Sequence, residues 1–187
     1  MSSIPALHGL EAVLFDMDGT LILSEDRCDR AITALLKAHG VSVDPAFDLS
    51  RFHGITWETI GILLAERWPL PGAIDVAAEL QRQFHETFIA DPPPRVPGAR
   101  EAVAAAAAVV PTAIVTSSNR ETLNLVCDQL DLHGLVSATI AAEDYTQSKP
   151  SPEPFALAAD RLGVDPRRCL VFEDSVAGVQ AGEAAGG

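Results

Sequence analysis

Four short apolar runs set the rhythm of the chain: Ala12 to Phe15, Thr112 to Val115, Ala138 to Ala141 and Cys169 to Phe172. Unbroken runs of this length suit parallel strands covered on both faces. Segments with helical spacing precede and separate the last three. Ala99 to Val109 follows Pro97-Gly98 and stops before Pro111. Arg120 to Leu130 gathers Leu123, Val126, Cys127 and Leu130 on one face. Pro152 to Leu162 opens with prolines, which a first helical turn tolerates, and ends at Gly163. This βαβαβ order predicts an α/β fold: a doubly wound, parallel-sheet, Rossmann-like core with right-handed crossovers. Ligands of such sheets bind beyond the carboxyl ends of the strands.

The stretch from Ser24 to Pro94 breaks the rhythm, because only helical patterns occur there. Ser24 can cap a helix that carries Glu25 and Asp26 in its first turn. Cys28, Ala31, Ile32, Leu35 and Leu36 form its apolar face, and Gly40 ends it. Trp57, Ile60, Leu63, Leu64 and Trp68 form a second face. Ala77, Leu80, Phe84 and Phe88 form a third, and Asp91-Pro92-Pro93-Pro94 reads as a stiff return linker. The pattern therefore predicts an inserted all-helical domain over 24–94, placed as a lid on a core made of 1–23 and 95–187. A last helix spans Ser175 to Ala185. With no further strand after it, the Cys169 to Phe172 strand is expected at the sheet edge.

Composition narrows the function classes. The net charge of -13 repels nucleic acid and anionic membranes, so neither is an expected partner. An anionic substrate would need a cation in the site. Cys28, Cys127 and Cys169 form no CxxC pair and read as buried thiols of a reducing compartment. Met1 to Leu10 lacks a basic start followed by an apolar run, and the Ala102 to Val110 run is too short to span a bilayer. A cytoplasmic monomer is expected.

Chemistry concentrates where strands end. Asp16 and Asp18, in Phe15-Asp16-Met17-Asp18-Gly19-Thr20, follow the first strand. Two carboxylates two residues apart against apolar walls repel, and a divalent cation with hard oxygen ligands would relieve them. Asp16 suits a nucleophile and Asp18 a proton donor and acceptor. The plain alternative is an idle Asp/Gly turn. Thr116-Ser117-Ser118-Asn119 after the second strand could cradle an anion, or merely cap the next helix. Lys149, between Ser148 and Pro150, could neutralise phosphoryl charge, or be a surface lysine. Glu173-Asp174 repeat the crowding of Asp16 and Asp18 at another strand end. Together the four acids could hold one Mg²⁺.

These four stretches, in this order, resemble the signature motifs of the haloacid dehalogenase (HAD) superfamily. The helical insert resembles that of the subgroup containing β-phosphoglucomutase and 6-phosphogluconate phosphatase-like sugar-phosphate phosphatases. The resemblance implies a Mg²⁺-dependent phosphatase acting on a small phosphorylated metabolite. Asp16 would be phosphorylated, with Asp18 as general acid and then base. Asp16, the Asp18 carbonyl and Asp174 would form the metal site, with Glu173 close by or ligating. Thr116, the Ser117 amide and Lys149 would hold the phosphoryl group. A His and an Arg of the mutase align with Cys28 and Trp57, which favours net hydrolysis over a phosphomutase. Asp18 argues against dehalogenation and phosphonate cleavage. A non-catalytic binding module is the remaining alternative. Substrate selection is expected around Cys28, Arg51 and His53 to Trp57.

Overall fold

The computed structural model describes residues 9–72 and 74–187. The N-terminal residues 1–8, which the sequence reading takes to lack a leader, lie outside the described residues. The strands are β1 (Ala12–Phe15), β2 (Thr112–Val115), β3 (Ala138–Ile140) and β4 (Cys169–Phe172). They form one parallel sheet in the order β3-β2-β1-β4. The helices are α1 (Glu25–Ala38), α2 (Trp57–Arg67), α3 (Val76–Ala90), α4 (Ala99–Ala107), α5 (Arg120–Leu130), α6 (Glu153–Leu162) and α7 (Val176–Ala185). This is the α/β doubly wound architecture that the alternating pattern predicts.

Alternation along the strands sends side chains to two cores. Val13, Phe15 and Ile114 join one apolar cluster with Val103 of α4 and Leu123, Val126 and Leu130 of α5. Ala12, Leu14, Ala113 and Val115 join the other with Phe155, Ala158 and Ala159 of α6 and Ala181 of α7. The expectation of strands covered on both faces holds for β1 and β2, which are buried at every position. The lateral strands differ. In β4 only Cys169 is buried, and Phe172 is 44% exposed, stacked on Phe15 at 5.0 Å. An outer strand has no neighbour to cover its far side.

The helical stretch between β1 and α4 packs through the predicted faces. Ile32, Leu35 and Leu36 of α1, Ile60 and Leu64 of α2, and Leu80, Phe84 and Phe88 of α3 are buried. Two positions depart. Leu63 is 38% exposed, and Cys28 is half-buried, packed against the core on one side and lining a cleft on the other. The two chain crossings into and out of this stretch run side by side. The Leu23 N–H donates to the Pro94 carbonyl at 2.8 Å, and the Val96 N–H to the Leu21 carbonyl at 2.9 Å. Arg27, nearly buried, ties α1 to Asp91 at 3.1 Å. The helices are thus fixed above the carboxyl ends of β1, β2 and β4.

Candidate active site

β1 places Asp16 at the point where the strand order reverses, with β2 on one side and β4 on the other. Its N–H extends the ladder to the Phe172 carbonyl at 2.9 Å. The residue is only 3% exposed. Asp16 Oδ1 accepts from Lys149 Nζ at 2.5 Å, whereas Oδ2 is buried with no hydrogen-bond partner. Lys149 is 1% exposed, so the surface-lysine alternative fails. Its ammonium also donates to Glu173 Oε1 at 2.6 Å and to the Val115 carbonyl at 3.2 Å, which uses all three donors.

The charges do not balance. One ammonium serves the carboxylates of Asp16 and Glu173. Burial pushes the Asp16 pKa well above the usual carboxylate range. Lys149 opposes that push, while Glu173 and Asp18 add to it. Burial works against the Lys149 charge too, but Asp16 and Glu173 outweigh it and hold the ammonium above its ordinary range. Burial also raises Asp174, with Glu173 and Glu25 reinforcing it. Glu173 goes the other way: burial opposes its charge, yet Lys149 and Ser175 bring it below its usual value.

Oxygens of Asp16, Glu173 and Asp174 lie within 4.8 Å of one another. A hard divalent cation fits this set, because the donors are carboxylates and Asp16 Oδ2 has no other partner. Glu173 is already committed: Oε1 to Lys149, and Oε2 to the Ser175 N–H at 2.7 Å and hydroxyl at 2.9 Å. Asp174 Oδ1 accepts only a long bond from Thr20 at 3.3 Å. Gly19, at φ +85°, allows the close approach here. A Cβ at this position would collide with Asp174 and with Glu25 Oε1.

The carboxylate of Asp18 lies outside that trio. Ser24 Oγ donates to its Oδ1 at 2.6 Å, and Thr116 Oγ1 and Ser118 Oγ donate to its Oδ2 at 3.1 and 2.9 Å. Ser24 precedes α1 but makes no side-chain cap, so the capping expected from sequence gives way to this bond. The Thr116 hydroxyl is engaged with Asp18. The Ser117 hydroxyl donates to the Gly54 carbonyl at 3.0 Å. Asn119 caps α5, as its position suggests.

Above this floor opens a cleft of about 560 Å³ including its solvent-filled mouth. Cys28, Phe52, His53, Ile55, Trp57 and Phe84 reach it from the helical side. Gly54 (φ +77°) brings the roof down on Ser175, whose side chain would clash with a Cβ there. Arg51 stays outside, with its guanidinium 5.7 Å from the Phe47 ring centroid. Sequence reasoning missed three contributors: Ser118 as a donor to Asp18, Glu25 beside Asp174, and Asp29, which accepts from His53 at 2.9 Å. The first two flank motifs already visible. The last had no local signal, because its partner is 24 residues away.

The fold and the acids that follow β1 and β4 place a carboxylate cluster at the switch point of a parallel sheet. The sequence profile of the haloacid dehalogenase-like hydrolases matches residues 10–186. Hexitol phosphatase B of Escherichia coli is 32% identical over 177 residues, 93% of this chain and 79% of that protein. The 6-phosphogluconate phosphatase of the same organism is 30% identical over 183 residues, 95% of this chain and 80% of that protein. Among solved structures, CbbY from Rhodobacter sphaeroides in complex with phosphate aligns with TM-score 0.78 and 26% identity, over 95% of this chain and 83% of that one. The chain belongs to the haloacid dehalogenase-like hydrolases, and it is an enzyme of their phosphatase type. That sets aside the non-catalytic alternative. No helix among the described residues is long and apolar enough to cross a membrane.

Proposed function

We propose that the chain hydrolyses the phosphomonoester of a small phosphorylated metabolite, a sugar phosphate in the broad sense, through an aspartyl-phosphate on Asp16. The observation that carries this reading is the state of Asp16, which lines the cleft: one oxygen is anchored by Lys149 and the other is buried and unpartnered. A carboxylate fixed in this way presents a single attacking oxygen. Asp16 Oδ2 attacks phosphorus, the ester oxygen leaves, and Asp18 supplies its proton. Asp18 then removes a proton from the water that cleaves the acyl phosphate. Ser24, Thr116 and Ser118 aim the Asp18 carboxylate between those two tasks.

The residues that would hold Mg²⁺ are Asp16, Asp174 and the Asp18 carbonyl, with Glu173 beside them as the anchor of Lys149. When bound, the ion supplies positive charge that orients the phosphoryl group and screens it from the carboxylates. The Ser117 N–H and the Thr116 hydroxyl, once released from Asp18, take equatorial phosphoryl oxygens, while Lys149, held by Asp16, Glu173 and the Val115 carbonyl, offsets the charge of the nucleophile and the phosphoryl group from below. In this reading 24–94 is a cap over a core of 1–23 and 95–187, and it excludes bulk water during transfer. A monomer remains the proposed state, since the site residues named here need no second copy. Three free thiols fit a reducing cytoplasm.

The test is hydrolysis of p-nitrophenyl phosphate by purified protein with Mg²⁺. Asp16→Asn should lower turnover by about 1,000-fold or more while the circular dichroism is unchanged. A quench during turnover should trap phosphate on Asp16, and chelation with EDTA should stop the reaction reversibly. Full activity in the Asn variant would overturn the assignment of the nucleophile.

A further inference from the structure

We infer that the cleft selects monophosphates whose remaining part is uncharged and hydroxylated, and rejects those carrying a second anionic group. This rests on the phosphatase reading above and names the substrate class of the same site.

The reason is the charge of the walls. Asp18, Glu25 and Asp174 line the cleft together with Asp16, and no arginine or lysine among the described residues does so. Lys149 lies beneath the floor, with its three donors taken by Asp16, Glu173 and the Val115 carbonyl. The nearby cations of the helical side are turned elsewhere: Arg27 to Asp26 and Asp91, and Arg51 to the Phe47 ring. A divalent cation would be shared by Asp16, Asp174 and the transferred phosphoryl group. Asp18 is protonated when it awaits the leaving oxygen, so Glu25 is the carboxylate that would still face whatever the phosphate is attached to.

His53 is the remaining candidate for anion recognition. Its Nε2 lies 2.9 Å from Asp29 Oδ1, so the pair adds no net positive charge to the cleft. It offers a positioned ring suited to hydrogen-bond a hydroxyl. Hydroxyls can also donate to Glu25, which a carboxylate or second phosphate cannot do. Phe52, Ile55 and Trp57 supply an apolar wall for the carbon chain. A carboxylate placed here would lose water and meet like charge without compensation.

Sorbitol 6-phosphate and 6-phosphogluconate test this directly, because they differ only in a terminal CH₂OH against a carboxylate. Fructose 1,6-bisphosphate adds the case of a second phosphate. Each is assayed with Mg²⁺ as a substrate and as an inhibitor of p-nitrophenyl phosphate hydrolysis, so a poor substrate still reports its binding. The expected result is kcat/KM, or affinity, higher for sorbitol 6-phosphate by about tenfold or more over either anionic compound. Equal or reversed preference overturns the inference, as does failure of all three to bind while p-nitrophenyl phosphate is turned over. If p-nitrophenyl phosphate itself is not hydrolysed, the parent reading fails instead. Glu25→Gln should narrow the gap between the two six-carbon compounds several-fold, and an unchanged ratio would remove Glu25 from the assignment.

Discussion

The floor and the roof of the cleft are built on different principles. On the floor, polar groups are held by several partners each. Lys149 has three acceptors and Asp18 three hydroxyl donors, and Glu173 is bonded through both oxygens. These groups sit at the ends of strands whose ladders fix their backbone. In the roof, position comes from apolar packing. Trp57 lies 5.2 Å from Phe84, which lies 6.0 Å from Phe88, and the His53–Asp29 pair is the polar link to α1. Chemistry needs oxygens held to a fraction of an ångström, and redundant hydrogen bonds deliver that. Selection needs shape and charge, which packed side chains deliver while the surface stays changeable.

That contrast can be broken in several ways. The largest effect is expected for Lys149→Met, which leaves Asp16 and Glu173 buried without a counter-charge. Loss of one partner of a buried ionic group costs about 3–5 kcal/mol, read as a lower midpoint in urea along with loss of turnover. If the variant were as stable as the parent, the floor would not depend on this ion pair. Leu80→Ala, in the packed interior of the roof, should cost about 2–5 kcal/mol by cavity formation. Turnover of p-nitrophenyl phosphate by the fraction still folded should be far less affected than in the Lys149 variant.

Two helix caps give a matched test of intermediate size. Asn119 accepts from the Thr122 N–H at the start of α5, buried beside the site, and Asp75 accepts from the Ala78 N–H at the start of α3, exposed. Replacement by Ala should cost about 1 kcal/mol at Asp75 and up to about 2 kcal/mol at Asn119. The order of the two in thermal melts checks whether the core is the less forgiving region.

A pH-dependent effect is expected behind the site. Asp144 accepts from the Ala141 N–H and pairs with Arg161 and Arg120. Burial opposes its charge, but Arg161, the Ala141 N–H and Arg120 hold its pKa below the ordinary carboxylate value. A depressed folded pKa gives stability that is present above the unfolded value of 3.8 and is lost as pH falls through the lower folded value. Asp144→Asn should therefore cost about 1 kcal/mol at neutral pH, with the difference shrinking in urea titrations as the pH falls below the unfolded value of 3.8. The smallest effect is expected at Arg82, exposed on α3 between Glu79 and Glu86. Arg82→Ala should leave both the melt and the kinetics unchanged within error.

Much of this molecule was legible without coordinates. Short apolar runs and helical spacings bear directly on local structure, so β1, β2, β4 and α5 fall at their expected limits. Acids and hydroxyls at strand ends marked the floor, because a parallel sheet brings its carboxyl ends together whatever joins them. The sequence could not say which oxygen of Asp16 is free, that Ser24 serves Asp18 rather than its own helix, or that Glu173 anchors Lys149. Nor could it show that a histidine and an aspartate 24 residues apart meet in the roof. Each of these is a choice among partners of equal chemistry. Only the packing of one element on another decides it, because the hydrogen bond goes to whichever group burial leaves within reach.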